Sequence, residues 1–383
     1  MVQKLKTIAT AAITLILLSS MSDLAFGKLI EVPSENQFDY WYWRQPPYII
    51  SPGYQGYPYV LPSSEIVLWG GKTNNILFSY TRDDQRDSPY PEGLYRSYDS
   101  GQNWDHLPFN FYDNDFLSLI VHPISPTIML VGTANSNLPG GMYRSSDGGD
   151  TWENVLANRI IYDIEVDPSN SNRIYASTCC WGGVFRSEDY GQTWNKISDQ
   201  AIGDIEVHPI TPDILFGARY FSTNRDEGIY RSDNAGETWI QIANIGGQSN
   251  IIIDSNQPNR MFAFGRSYGG IWRTEDGGVN WVDLSSGLPY IVSSPTVLSA
   301  ALDSNHGALW IGLKYDGILV SHDYGVTWSE SNNGIPFFIG SIFGPQCTSI
   351  TIALNGAIAT NCSGRVYVKN RLETIYLPLI INK

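Results

Sequence analysis

Short runs of alternating apolar and polar residues, five or six long, follow one another along most of the chain. Ile161-Tyr162-Asp163-Ile164-Glu165-Val166 is one such run, and it ends at Asp167-Pro168. Asn172 to Ala176 comes next, then a variable loop, then Gly183-Val184-Phe185-Arg186 and a polar turn. Period-two alternation with β-branched and aromatic residues predicts strands, and helix signals are absent from these units.

The polar turn is a recurring eight-residue phrase. It stands at Ser97–Trp104, Ser145–Trp152, Ser187–Trp194, Ser232–Trp239, Thr274–Trp281 and Ser321–Trp328. Five copies fit Ser/Thr-x-Asp-x-Gly-x-Thr/Asn-Trp, and in the fourth Asn234 takes the Asp place. The closing tryptophans are 48, 42, 45, 42 and 47 residues apart, a period that suits one four-stranded propeller blade per repeat. Each phrase reads as the hairpin between two strands. Its acid (Asp99, Asp147, Asp189, Asp276 or Asp323) accepts hydrogen bonds from the turn, and its glycine supplies a positive φ. Its tryptophan (Trp104, Trp152, Trp194, Trp239, Trp281 or Trp328) turns back into the core with an N–H that needs a partner. An arginine precedes five of the boxes (Arg96, Arg144, Arg186, Arg231, Arg273) and is read as part of the same hairpin.

The phrase is the Asp-box, and the sequence resembles the Asp-box (bacterial neuraminidase) repeat β-propellers, which include sialidases, xyloglucanases, sortilin ectodomains and photosystem II assembly factors. The expected fold is all-β: a single propeller of seven four-stranded blades with six Asp-box hairpins. Alignment to the boxes places the blades near 64–110, 115–157, 160–198, 201–244, 248–286, 296–332 and 340–380. The seventh unit has strands between Thr351 and Val368 but no box, so six blades plus a separate C-terminal hairpin is the competing count. Its last run, Thr374 to Ile380, reads as an outer strand or a sticky tail.

Before the repeats, Met1 to Gly27 reads as a secretory signal: Lys4 and Lys6, an apolar run from Ile8 to Leu18, and Ala25-Phe26-Gly27 before a cleavage ahead of Lys28. Residues 28–63 form an arm rich in proline and aromatics, expected to pack on the propeller (domain 64–383) and to lend a strand to the last blade. Stacking on sugar rings is the alternative for its Tyr40-Trp41-Tyr42-Trp43 run. Trp43-Arg44-Gln45-Pro46 is similar to the aromatic-Arg-x-Pro phrase of sialidases, which supplies a carboxylate-binding arginine.

A net charge of −14 argues against nucleic acid and anionic membrane surfaces as partners. Four cysteines suit an exported chain. Cys347 and Cys362 flank a hairpin turning near Asn355-Gly356, which points to a disulfide. The vicinal pair Cys179-Cys180 admits a strained ring, a soft-metal ligand or two thiols, with a structural pair preferred. Five histidines without ligand spacing give no metal site, and no cofactor is expected. No segment after the signal is long and apolar enough to span a membrane as a helix, and a monomer is expected.

In the family that the boxes point to, ligands sit on the face away from the boxes, among the irregular loops between second and third strands. Here those loops supply Arg82, Arg86, Trp181, Arg219, Tyr220, Arg225, Arg266, Tyr268 and Tyr315 as candidate binding residues. The inner strands of the third and fourth blades add Asp163 with Glu165 and Asp204 with Glu206 at period two, which puts each pair on one face toward the central channel. Crowded carboxylates raise one another's pKa, as a general acid requires, and paired carboxylates serve most glycosidases. A water-filled polar channel or a chance cation site is the plainer reading.

A sialidase also needs an arginine triad, for which Arg44, Arg219 and Arg266 are candidates, and a Tyr–Glu pair that cannot be assigned. Xyloglucanases use a cleft between two propellers, sortilin-like ectodomains a larger propeller with a cysteine-rich module. Photosystem assembly factors are single propellers of similar size. The preferred expectation is a secreted or envelope noncatalytic propeller engaging a glycan or protein; the alternative is a glycosidase with Asp163 or Asp204 as acid.

Overall fold

The computed structural model describes residues 42–44, 64–69, 76–81, 93–108, 115–134, 140–178, 182–219, 227–245, 248–265, 270–289, 296–333, 335, 347–353, 357–362 and 365–369. The signal segment 1–27, Cys179-Cys180 and the final run 374–380 lie outside the described residues.

Seven four-stranded antiparallel sheets account for the described strands, one per repeat unit. We number the blades 1 to 7: 64–106, 115–157, 161–198, 204–243, 248–283, 297–330 and 347–369. Within blade 3 the strands run Ile161–Val166, Ile174–Thr178, Gly183–Ser187 and Asn195–Ser198, from inner to outer. Inner strands of neighbouring blades touch one another all the way round, and that of blade 7 meets that of blade 1 to close the ring. The seven-blade count therefore stands over six plus a hairpin.

Blade 7 is completed from the other end of the chain. Tyr42–Arg44 pairs antiparallel with Arg365–Lys369, in the register Tyr42 to Val368, and takes the outer place in that sheet. The outer position of blade 7 is thus filled by residues that precede the repeats. Cys347 and Cys362 face each other across the two inner strands of this blade and form a disulfide, with Cα atoms 4.0 Å apart.

The core is made of layers between blades. Seven clusters of buried apolar residues are found among the described residues, and each draws on two adjacent blades. Second strands are buried along their length, which is why Ala308-Leu309-Trp310-Ile311-Gly312-Leu313 lacks alternation. Outer strands such as Asn195–Ser198 are exposed at their start.

All six boxes share one hydrogen-bond pattern. In the second, Ser145 Oγ donates to Asp147 Oδ1 (2.8 Å) and accepts from Gly149 N (2.8 Å). Thr151 N donates to Asp147 Oδ1 (2.9 Å), and Trp152 Nε1 donates to the Gly149 carbonyl (2.9 Å). The turn thereby satisfies its own polar groups, and the tryptophan N–H finds its partner three residues back. Asn234 keeps the geometry with its Oδ1, accepting from Thr238 N at 3.0 Å. Two left-handed residues bend the hairpin, Gly148 and Gly149 here (φ 80° and 101°). A Cβ on Gly149 would also lie 2.7 Å from Leu107 Cδ1 of blade 1. Each box thus inserts into the seam with the blade before it: Trp239 packs with Tyr175 and Val184 of blade 3.

The arginines before the boxes serve two hairpins. Arg186, Arg231 and Arg273 pair with an acid of their own box, and four of the five donate to the next blade's box. Arg96 reaches the Gly148 carbonyl, Arg144 Nε the Tyr190 carbonyl (2.9 Å), Arg186 Nη1 that of Ala235 (3.1 Å) and Arg273 Nη1 that of Tyr324 (2.7 Å). Every acceptor belongs to the left-handed residue just ahead of the box glycine, whose carbonyl the turn itself leaves pointing outward.

Two stability measurements test this account. Trp239→Ala removes a buried side chain from the seam between blades 3 and 4 and is expected to cost about 3–5 kcal/mol in denaturant unfolding. The double variant Cys347→Ala/Cys362→Ala should lose roughly 3 kcal/mol, with the oxidised wild type as reference.

Candidate functional site

Strand direction fixes two faces. The turns between inner and second strands and the box hairpins emerge on one; the second-to-third loops and the connections between blades emerge on the other. The box face is occupied by its own turns. Thr178 pairs with Gly183, Arg219 with Gly228 and Leu313 with Gly317 at the loop-face ends of their strands.

Of the loop-face candidates, Arg82, Arg86, Trp181, Tyr220, Arg225, Arg266 and Tyr268 lie outside the described residues. Arg219 is the last residue of the second strand of blade 4 and is only 7% exposed, with its guanidinium 5.9 Å from the Tyr230 ring centre. It is therefore a buried support beneath the rim and is not displayed on a loop tip. Tyr315 is 40% exposed at the loop of blade 6, with Lys314 Nζ 5.1 Å from its ring centre. Beside it, burial and then the charge of Glu330 raise the Asp316 carboxyl above its usual range. The backbone of Arg44 runs in the outer strand of blade 7, three blades round the ring from Arg219.

The four channel carboxylates do come together. Asp163 and Glu165 lie on the inner strand of blade 3, Asp204 and Glu206 on that of blade 4, and the two strands are neighbours. Residues two apart along a strand are about 7 Å apart, so the aspartates form an upper pair toward the loop face and the glutamates a lower one. All four side chains are half-buried. They sit deep enough for burial to penalise their charged forms.

The two layers have different partners. Asp163 Oδ2 accepts from Ile205 N of blade 4 (2.9 Å). Asp204 repeats the contact one blade on: Oδ2 accepts from Ile251 N (2.7 Å) and Oδ1 from Asn250 Nδ2 (3.3 Å). Each aspartate thus ties its inner strand to the next. At the same register Ser299 Oγ donates to the Cys347 carbonyl (3.3 Å), so one inner-strand position serves as a blade-to-blade rung. Alternation could place these residues on the channel, but the backbone groups they hold lie one blade away and carry no sequence signal.

Burial pushes the Asp163 carboxyl up to about 6, against the lowering effect of the Ile205 and Ile164 N–H groups. Glu165 is raised well above the carboxylate range by burial first, then by the charges of Asp163 and Asp204. Glu206 is raised likewise, by burial and then by Glu165, Asp204 and Asp163. Chemically, this is a crowded carboxylate site that takes up protons above pH 4. Among the described residues no grouping of histidine, cysteine, aspartate and glutamate suits a metal ion.

Box acids titrate the other way. Hydrogen bonds from Thr151 hold Asp147 down to about 2, and hydrogen bonds from Asn280 and Thr327 do the same for Asp276 and Asp323. The two sets give a pH profile with a worked sign. A carboxylate raised in the fold contributes stability that is present below its unfolded pKa and lost as pH rises through its folded one. A depressed carboxylate contributes stability that is lost as pH falls below about 4. Tm is therefore expected to be highest near pH 4–5 and to fall toward pH 7.5. Glu165→Gln/Glu206→Gln should raise Tm at pH 7.5 and flatten that limb. A limb unchanged in the double variant would show that the channel acids are not its source.

Comparison with known proteins follows the fold. The family model described as Sortilin-Vps10 (sortilin, neurotensin receptor 3) matches residues 92–201, from the third strand of blade 1 through blade 3. No curated protein matches the sequence. A GH74 xyloglucanase from Xanthomonas campestris is similar in structure with a TM-score of 0.59 at 16% identity, covering 78% of this chain and 51% of that one. This chain thus spans about half the length of that enzyme. YCF48 bound to a D1 peptide aligns with a TM-score of 0.58 at 15% identity, over 83% of this chain and 96% of that one. YCF48 from Cyanidioschyzon merolae gives 0.58 at 14% identity, over 82% and 97%. At these identities the likeness is one of fold. Among the described residues no helix is long and apolar enough to cross a membrane. The buried disulfide is compatible with an extracytoplasmic protein. By sheet count and ring closure, the fold of this chain is a seven-bladed β-propeller.

Proposed function

We propose that this chain is an exported, noncatalytic propeller that binds a glycan or a protein through its loop face. The observation that carries the reading is the commitment of Asp163 and Asp204. Both aspartates that a hydrolase of this shape would use as acid hold backbone N–H groups of the next blade. Such bonds fix the carboxylate in place and occupy its oxygen, which suits a structural rung better than proton delivery. The boxes fill the opposite face with their own turns, and the variable loops remain for recognition on a rigid frame. Export rests on the N-terminal signal-like segment and the disulfide. YCF48, whose structure was solved with a D1 peptide, is matched over nearly its whole length, in keeping with binding as the use of a single ring.

One observation favours a glycoside hydrolase instead: Glu165 and Glu206, together with Asp163, are held toward their protonated forms beside an opening. Incubating the full chain with sialosides and with plant and bacterial polysaccharides, and reading both binding and released sugars by mass spectrometry, separates the two. Retention of an intact glycan, or of a protein partner, with no sugar released is the expected outcome. Release that disappears in Glu206→Gln or Asp163→Asn would replace the binding reading with hydrolysis.

A further inference from the structure

In blades 2 to 6 the first residue after the inner strand caps the turn to the second strand. In blades 3, 5 and 6 the cap is an aspartate. Asp167 Oδ1 accepts from Ser169 N (2.8 Å) and Asn170 N (3.1 Å), Asp254 Oδ1 from Asn256 N (3.0 Å) and Asp303 Oδ1 from Asn305 N (3.1 Å). In blades 2 and 4 a histidine takes that place, inside a repeated His-Pro-Ile-Ser/Thr-Pro phrase at His122–Pro126 and His208–Pro212. His122 Nδ1 accepts from Ser125 N (3.1 Å), and His208 Nδ1 from Ile210 N (3.3 Å) and Thr211 N (3.0 Å).

The backbone around the cap is the same in blades 2 to 5. His122, Asp167, His208 and Asp254 each donate N–H to the carbonyl that ends the turn, on Ile128, Arg173, Ile214 and Arg260. The residue before each of those accepts from the box of its own blade: Thr127 from Gly148, Asn172 from Tyr190, Asp213 from Ala235 and Asn259 from Gly277. Only the chemistry of the cap differs. A backbone N–H can only donate, so Nδ1 of both histidines carries no hydrogen. In His122 the other nitrogen, Nε2, donates to the Ser171 carbonyl of blade 3 (2.9 Å), and the ring is 1% exposed. A proton arriving at either ring has Nδ1 as its place, where it sets N–H against N–H and ends the cap.

The charges around these rings are already matched. Beside His122 stand the Tyr190 ring of the blade 3 box, 5.2 Å away, and Arg144, which holds the Tyr190 carbonyl and lies 3.7 Å from Glu153. Around His208 are Arg231, paired with Asp233, and Asp213 of its own turn, paired with Arg173 of blade 3. The blade 5 turn keeps its own pair, Asp254 with Arg260 (3.2 Å). Burial and then the Arg231 charge hold the His208 imidazole below its usual range. A neutral imidazole of this kind contributes stability that is present above the ordinary imidazole value and lost as pH falls through the folded one.

We propose that His122 and His208 are acid-released catches: uptake of a proton at Nδ1 frees the turns 122–128 and 208–214 from the box face, while the aspartate-capped turns 167–173 and 254–260 stay closed. The tips of the two histidine turns are Ile124 (69% exposed) and Ile210 (72% exposed), so acid sets loose the segments that present an apolar side chain on that face. Blade 6 responds the other way, because His306 Nδ1 meets Asp303 Oδ2 at 2.7 Å and protonation there adds an ion pair.

The channel carboxylates stabilise the ring as pH falls over the same range, so the test is a local one. Hydrogen exchange of the full chain is compared at pH 7.5 and 4.5 by mass spectrometry, after correction for the intrinsic pH dependence of amide exchange. Peptides spanning 122–128 and 208–214 should open about tenfold to a hundredfold more at the lower pH, the upper figure set by the distance of about two pH units from the ordinary imidazole pKa of about 6.5. Those spanning 167–173 and 254–260 should barely move. His208→Asp installs the cap of blades 3 and 5 at a half-buried position, and is expected to abolish the response at 208–214 and leave that at 122–128 intact. An equal response in all four turns, or a response at 208–214 that survives His208→Asp, would overturn the proposal.

Discussion

The structure depends on a hairpin that closes on itself and opens toward its neighbour. Serine, aspartate and glycine of each Asp-box satisfy the turn's own donors and acceptors, so the hairpin needs nothing from solvent to hold its shape. What is left over points one way. The tryptophan ring enters the preceding seam, the glycine leaves room for that blade's side chain, and the carbonyl before it is offered to that blade's arginine. A local motif of eight residues is thereby converted into contact between units roughly 50 positions apart in sequence. Since each core layer belongs to two blades, no blade completes its own core, and the ring has to form as a whole.

This explains what was legible in the chain. The boxes could be read because all their internal partners lie within eight residues, and the spacing of the tryptophans gave the repeat. The disulfide could be read because Cys347 and Cys362 flank one hairpin. The arginines were legible only in part, for the opposite reason. Arg186 and Arg273 do pair with an acid of their own box, but adjacency in sequence carries no sign of their second acceptors, Ala235 and Tyr324 of the next blade. The outer strand of blade 7 was assignable only in kind, since Tyr42–Arg44 must find a partner more than 300 residues away whose register no local pattern encodes.

The same limit governs the channel. Alternation placed Asp163 and Glu165, Asp204 and Glu206 on one face, and crowding implied raised pKa values. It could not distinguish rung from lining. Asp163 and Asp204 occupy the position where Ser299 makes its own cross-blade bond, so their carboxylates serve a place that a hydroxyl also fills. Glu165 and Glu206, one step lower, have no such duty in the lattice of blade-to-blade bonds. Asp-box geometry is equally silent on ligand choice, because the residues that build it are spent on the scaffold.

Like charges gathered on two adjacent blades oppose ring closure at neutral pH, and the fold has to offset them elsewhere. One of the four, Asp163, does this itself by accepting the Ile205 N–H across the seam between blades 3 and 4. Between blades 3 and 4 the rim adds Arg186 and Arg173, so repulsion at the channel meets attraction at the edge. Between blades 4 and 5 the channel end holds Asp204 and its two donors, while Arg231 remains within its own blade. Arg231 is held there by Asp233, whose Oδ1 takes both its Nε and its Nη2.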